Sequence, residues 1–268
     1  MLHGGPGLPC DYLEPLADLA SSGRRVIFYD QLGCGNSDHI DDPSLWTVGL
    51  FVEEITAVRR GLGLDAPHLF GQSWGGMLAL EYMLTRPVGI TSLVLASATP
   101  SIPLLVSELH RLRDELPSEI RAVIEHCEAY GTTDSEEYGE AVSAFLGRHF
   151  CRLSSFPDCL GRSFAKLGEA PQVCETMFGT AQFDVTGTLS AWVVSSRLRE
   201  IEVPTLLTSG RHDQMTPLVT RTIHEGIHGS EWALFEDSSH MAHLEEPELY
   251  RGVLLEFFER TERATISS

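Results

Sequence analysis

Gly71-Gln72-Ser73-Trp74-Gly75 fits Gly-x-Ser-x-Gly, a pattern able to present a nucleophilic hydroxyl. Its context adds to the pentapeptide: the apolar run Pro67–Phe70 precedes it and the helix-period stretch Gly76–Thr85 follows. A strand-to-helix turn this tight strains the middle residue, and flanking glycines let the two elements approach while Ser73 Oγ projects above the sheet. The helix N-terminus behind the serine favours developing negative charge.

A serine hydroxyl needs a base within hydrogen-bond reach, and the base needs an acceptor that fixes its tautomer. In sheets that carry such a serine the partners follow in the order Asp or Glu, then His. Asp213 comes directly after the apolar run Val203–Ser209, and His240 after Trp232–Glu236, so both are expected in loops at the sheet edge that carries Ser73. Asp237, three residues before His240 on the same loop, competes with Asp213; His212 and His243 are expected at the rim or surface. His3-Gly4-Gly5-Pro6-Gly7 supplies glycine-rich backbone that can turn an N–H toward a substrate carbonyl. Gly5 and Trp74 are the expected oxyanion donors.

The elements that must position these residues are legible as alternation. Apolar runs at Arg25–Tyr29, Pro67–Phe70, Thr91–Ala96, Val203–Ser209 and Trp232–Glu236 read as strands. Asp11–Ser21, Val48–Leu62, Gly76–Thr85, Leu218–Ile227 and Pro247–Arg260 have helical spacing. That is an α/β pattern: a mostly parallel sheet flanked by helices. From Ser101 onward Leu104–Leu116, Ser118–Tyr130 and Ser135–Phe150 follow one another as helices without a strand between them. The expected organisation is a core of residues 1–100 and 190–268 with a helical cap at 101–189, and a disordered polar tail at Thr261–Ser268. The cap aromatics Phe145, Phe150, Phe164, Phe178, Phe183 and Trp192 read mostly as core; Leu104 and Leu105 begin the cap beside the site.

Composition excludes several partners. With 38 Asp and Glu against 19 Lys and Arg, the formal charge of −19 repels nucleic acid and anionic membrane surfaces. The six cysteines form no CxxC pair and read as free thiols, and no signal peptide or membrane-length apolar run is present. A cytoplasmic protein is expected. Its oligomeric state is not legible.

His3-Gly-Gly-Pro-Gly7, Asp30-Gln-Leu-Gly-Cys-Gly-Asn-Ser37, Gly71-Gln-Ser-Trp-Gly-Gly76, Gly210-Arg-His-Asp213 and Ser239-His240 together resemble the proline iminopeptidase family of α/β-hydrolases. The resemblance spans essentially the whole chain, including Phe183-Asp-Val-Thr-Gly-Thr188 in the cap. It implies the α/β-hydrolase fold and a cofactor-free, cytoplasmic serine hydrolase that releases an N-terminal proline or other residue from small peptides. Relatives with these motifs are amino-acid amidases, so the motifs specify the machinery better than the peptide, amide or ester substrate.

Two departures bear on that expectation. Aminopeptidases of this kind hold the substrate ammonium with two glutamates, and the matching positions here carry Gln182 and Gln214. Each exchange gives up a charge-assisted hydrogen bond, about 1 kcal/mol, which favours neutral amides, esters or acylated amines unless Glu175 or Asp184 supplies a carboxylate. Only Met1 and Leu2 precede His3, where relatives carry a hairpin and an apolar strand, so a reading frame that opens further upstream is expected.

Two other classes compete. His224-Glu-Gly-Ile-His228 matches His-Glu-x-x-His, a zinc pattern, but Gly226 weakens the helix, Gly229 ends it, and burial of Ile223 and Ile227 leaves both histidines wet. A non-catalytic receptor on the same fold is the other; such proteins commonly lose a triad member.

Overall fold

The strands form where apolar runs can be buried on both faces. In the computed structural model, which describes residues 1–266, every residue of Ser92–Ala96 and Thr205–Gly210 is buried. In chain order the elements are α1 (Val48–Leu62), β1 (His68–Gln72), α2 (Trp74–Leu84), β2 (Ser92–Ala96), α3 (Ile102–Asp114), α4 (Ser118–Tyr130), α5 (Glu136–His149), α6 (Asp158–Glu169) and α7 (Gln172–Met177). They continue as β3 (Thr205–Gly210), α8 (Pro217–Gly226), β4 (Glu231–Phe235), α9 (Ala242–Glu245) and α10 (Pro247–Ile266). The sheet is parallel in the order β1-β2-β3-β4. Gln72 pairs with Ala96, Ala96 with Thr208 and Thr208 with Ala233, so the carboxyl ends finish along one edge.

Alternation along the strands divides the core. Leu69, Leu93, Leu95 and Leu207 face one side with Phe51 and Ile55 of α1, Leu78 of α2 and Ile223 of α8. Phe70, Val94, Leu206 and Phe235 face the other, with Tyr12 and Leu16 of the 3-10 helix Cys10–Ser22 and Tyr250, Leu254 and Phe257 of α10. Residues 74 to 80 are buried throughout, so this first part of α2 is apolar on every face because it is enclosed on every face. The α3–α7 excursion leaves and rejoins the core at one place, where Ser101 bridges Val193 in antiparallel fashion.

The expected strand Arg25–Tyr29 is not one. Residues 25–29 carry no regular element, and a cleft of about 640 Å³ lies beside them, lined by Val26, Ile27, Tyr29, Ile55, Leu69 and Phe70 among others. Among the described residues the segment's one ladder-like contact is Ile27 O, which accepts from the Met1 amino group at 2.8 Å. Leu2 in turn bridges Gly71 of β1. An apolar run becomes a strand only when a neighbouring backbone pairs with it, and a single bond from Met1 does not make a ladder. The tail differs from expectation as well: α10 continues through Ile266, helped by Thr261 Oγ1 bonding back to Phe257 O and by buried Phe257 and Phe258, while residues 267–268 lie outside the described part.

Candidate active site

Ser73 sits directly after β1 with φ 57° and ψ −119°, backbone that an L-residue adopts only under constraint. The constraint is steric. A Cβ on Gly71 would lie 2.2 Å from Gly75 O, so only glycine lets the turn close this tightly. Ser73 N donates to Ala96 O at 2.8 Å, tying the elbow to β2.

The other candidate residues arrive from β3 and β4. Asp213 Oδ1 accepts from His240 Nδ1 at 2.8 Å, and both side chains are buried. It also accepts from Met215 N at 2.8 Å, whereas Oδ2 is buried and has no partner among the described residues. With Nδ1 engaged, Nε2 is the ring nitrogen left for a reacting proton. Among the described residues Ser73 Oγ makes no hydrogen bond, a common state of such serines without substrate. A Cβ on Gly210 would meet Ser239 O at 2.2 Å, so glycine at the end of β3 is what allows the Asp213 and His240 loops to touch. Glu245 holds the His240 loop from behind, accepting from Ser239 N at 2.8 Å and Ser239 Oγ at 2.9 Å.

The α3–α7 excursion grips the Asp213–His240 pair. His149, the last residue of α5, bonds through Nδ1 to His212 O at 2.9 Å, and its carbonyl accepts from Gln214 N, also at 2.9 Å. The residues on either side of Asp213 are thereby clamped to one helix end. Glu108 of α3, buried, accepts from Thr216 Oγ1 at 2.6 Å, and Arg111 and Thr216 hold its carboxyl below the usual range against the opposing effect of burial. Phe150 lies against His240, ring centroids 5.3 Å apart.

On the opposite side lies the glycine-rich loop. Gly4 O accepts from Leu8 N at 3.3 Å and from His3 Nδ1 at 3.0 Å. In a trans peptide the N–H points opposite to the C=O, so the Gly5 N–H is turned away from those donors. Neither Gly5 N nor Trp74 N donates to any described residue. His3 Nε2 accepts from Gln31 N at 2.9 Å, which assigns the ring proton to Nδ1; burial pushes this imidazole down to about 4. Gln31 also donates to His3 O at 3.0 Å and accepts from the Trp74 indole at 2.9 Å.

Gln182 and Gln214 meet: Gln182 Nε2 donates to Gln214 Oε1 at 3.4 Å, with both half-buried. The carboxylates considered as substitutes are placed otherwise, since Asp184 pairs with His110 at 3.0 Å and Glu175 is exposed. Asp237 is exposed and does not reach His240. His243, expected at the surface, is in the core; its Nε2 donates to Tyr12 O at 3.1 Å, and burial lowers it to about 4. His224 and His228 do not share a helix face because α8 stops at Gly226, and among the described residues no three metal-ligating side chains converge.

Residues 1–247 match the family described as alpha/beta hydrolase fold. A proline iminopeptidase of Saccharolobus solfataricus is 40% identical over 260 residues, covering 97% of this chain and 84% of its own. One from Clostridium botulinum is 41% identical over 257 residues, with 95% and 87% covered. The chain belongs to the proline iminopeptidase family of α/β-hydrolases. The crystal structure of proline iminopeptidase from Mycobacterium smegmatis superposes with a TM-score of 0.93 at 39% identity, covering 98% of this chain and 89% of that one. VinJ superposes with 0.94 at 40% identity, covering 97% and 89%. Like these family members, the chain is an enzyme of the hydrolase class. No helix among the described residues is long and apolar enough to cross a membrane.

Glu108, His149 and Tyr12 carry no motif signal, and Gln31 lay inside Asp30-Gln-Leu-Gly-Cys-Gly-Asn-Ser37 without a role of its own. A buried charge or amide is recognisable only once its partner, far away in the chain, is known. Gln72 lay in plain view inside the serine pentapeptide but read as a spacer.

Proposed function

We propose that the chain is a serine hydrolase that releases an N-terminal proline or another amino acid from small peptides or amides through a Ser73 acyl-enzyme. The observation that carries this reading is the buried 2.8 Å bond between Asp213 and His240 at the same sheet edge as the strained Ser73. Substrate enters between the core of residues 1–100 and 190–268 and the helical cap of 101–189. Ser73 Oγ attacks the scissile carbonyl as His240 Nε2 takes its proton, and Gly5 N–H and Trp74 N–H receive the developing oxyanion. Collapse of the tetrahedral species breaks the C–N bond, and the imidazolium returns its proton to the leaving amine. Water, deprotonated by His240, then releases the acid and restores Ser73. Asp213 holds the tautomer and stabilises the imidazolium throughout. No step requires a cofactor.

The Gln182–Gln214 contact favours a second reading, an amino-acid amidase or esterase acting on a neutral small molecule. Two amides bonded to each other offer a substrate ammonium dipoles rather than charge. Kinetics on proline and alanine arylamides beside their N-acetyl and ester analogues separates the two. A strong preference for free amines supports the aminopeptidase reading; comparable rates on blocked substrates support the amidase or esterase. Failure of Ser73 to react with a fluorophosphonate probe, with no turnover of any substrate, would leave a non-catalytic binding protein.

A further inference from the structure

Two of the groups expected to act in catalysis, the glycine-rich loop and His240, are joined by a single buried line of hydrogen bonds that the acyl-transfer steps do not use. Gly4 N donates to Tyr12 Oη at 2.7 Å. The Tyr12 hydroxyl donates to Gln72 Oε1 at 2.6 Å, and Gln72 Nε2 donates to His240 O at 3.3 Å. Tyr12 is fully buried and Gln72 is 1% exposed, so water does not compete for these groups.

The directions follow from valence. A backbone N–H only donates, so the Tyr12 oxygen is its acceptor and the single phenolic hydrogen is left for Gln72. The amide must then present its oxygen to Tyr12 and its NH₂ to the His240 carbonyl, which decides its orientation without ambiguity. Gln72 is also the residue before Ser73, so the line passes beside the nucleophile on its way from the oxyanion loop to the base. Tyr12 is itself pinned at three points. Its N–H donates to Ser163 Oγ of α6 at 3.0 Å, its carbonyl accepts from His243 Nε2, and its hydroxyl lies in the line.

We propose that Tyr12 and Gln72 act as a positioning pair that sets the Gly5 N–H and the His240 backbone in register with Ser73. The proposal rests on the acyl-transfer reading above. The relay holds the His3–Gly4 peptide at its N–H while His3 and Leu8 hold the Gly4–Gly5 peptide at its carbonyl, so the two bonds together fix the Gly4 backbone torsions that aim the Gly5 N–H before substrate arrives. Removing the phenolic oxygen frees Gly4 N and Gln72 Oε1 together and lets the loop turn. The loss is then felt where charge develops rather than where substrate binds.

The test uses Tyr12→Phe, Gln72→Met and the double variant, with Ser73→Ala assayed in parallel on alanine and proline arylamides. Tyr12→Phe is expected to lower kcat by about ten- to a hundredfold with KM within about twofold. Affinity for phenylboronic acid, whose tetrahedral Ser73 adduct puts an oxygen in the oxyanion position, should fall in parallel with kcat. The double variant should fall no more than about threefold below the worse single one, because the two side chains serve one line. A kcat within threefold of wild type, unchanged boronate affinity, or losses that multiply in the double variant would overturn the proposal. Should Tyr12→Phe fail to fold, Gln72→Met and its boronate affinity decide alone. An active Ser73→Ala would instead remove the acyl-transfer reading, whatever the relay variants did.

Discussion

The two sides of the site are built differently. The side expected to receive the oxyanion is held largely by the core: His3, Gln31, Tyr12, Gln72 and Trp74 are all buried and bond to one another or to the sheet edge and its loops, with Ser163 of α6 added at the Tyr12 N–H. The acid–base side is held largely by the cap, through His149 on both neighbours of Asp213, Glu108 on Thr216 and Phe150 on His240. A movement confined to α3 and α5 therefore disturbs Asp213 and His240 first, while the glycine-rich loop keeps its bonds to His3, Leu8 and Tyr12. Preorganised dipoles gain from rigidity, whereas the proton-transfer pair needs alignment only once substrate is enclosed.

The comparison can be broken first at the point both sides serve. Ser73→Ala should reduce turnover by about 10⁵- to 10⁶-fold with an unchanged circular dichroism spectrum; substantial residual rate would remove the shared nucleophile. Asp213→Asn should cost about 10⁴-fold in kcat, because the amide favours the wrong imidazole tautomer. Gln182→Glu with Gln214→Glu should raise kcat/KM for free-amine substrates by about ten- to a hundredfold over N-acetyl analogues, measured side by side. No selective gain would show that the ammonium, if bound, sits elsewhere.

The core side has a pH signature. His3 and His243 are neutral in the fold, each lowered by burial from 6.5 to about 4. The unfolded chain binds those protons first, so stability is complete above about pH 6.5 and is lost as pH falls toward 4, on the order of 3 kcal/mol for each histidine. Glu54, raised by burial from 4.5 to about 7, acts in the opposite sense and is most stabilising at low pH, offsetting part of the loss between pH 7 and 4.5. His243→Gln, which keeps a donor for Tyr12 O, should flatten the denaturation midpoint between pH 6.5 and 4; an unaltered slope would mean that the residue is charged in the fold. The smallest effect is expected from Arg211→Ala. Among the described residues the Arg211 side chain bonds Glu236 alone, across an exposed surface, so melting temperature and rate should not measurably change even though Asp213 is two residues away.

Spacing was enough to place the four parallel strands within about two residues, along with α1, α4 and the order Ser73, Asp213, His240, because periodicity and glycine-flanked turns are local properties. The same local reasoning failed at Arg25–Tyr29, where the apolar pattern is present but lines a cleft instead of a ladder. It failed at His243, whose environment is made by Tyr12 and Tyr250 from opposite ends of the chain. The helices α6 and α7 were also missed. Gly161 and Gly168 interrupt the first pattern, and the second is too short for periodicity to register.

By itself the sequence determined the chemistry on offer: a serine on a turn that only glycine neighbours permit, with an aspartate and a histidine each following an apolar strand. Tertiary structure decided which groups meet. That Asp213 rather than Asp237 reaches His240, that Gln182 touches Gln214 and that Tyr12 joins Gly4 to Gln72 depend on backbone approaches between segments up to tens of residues apart. Side-chain hydrogen bonds extend about 3 Å, and no one-dimensional pattern records which distant residues the packing of a sheet and a cap will bring within that reach.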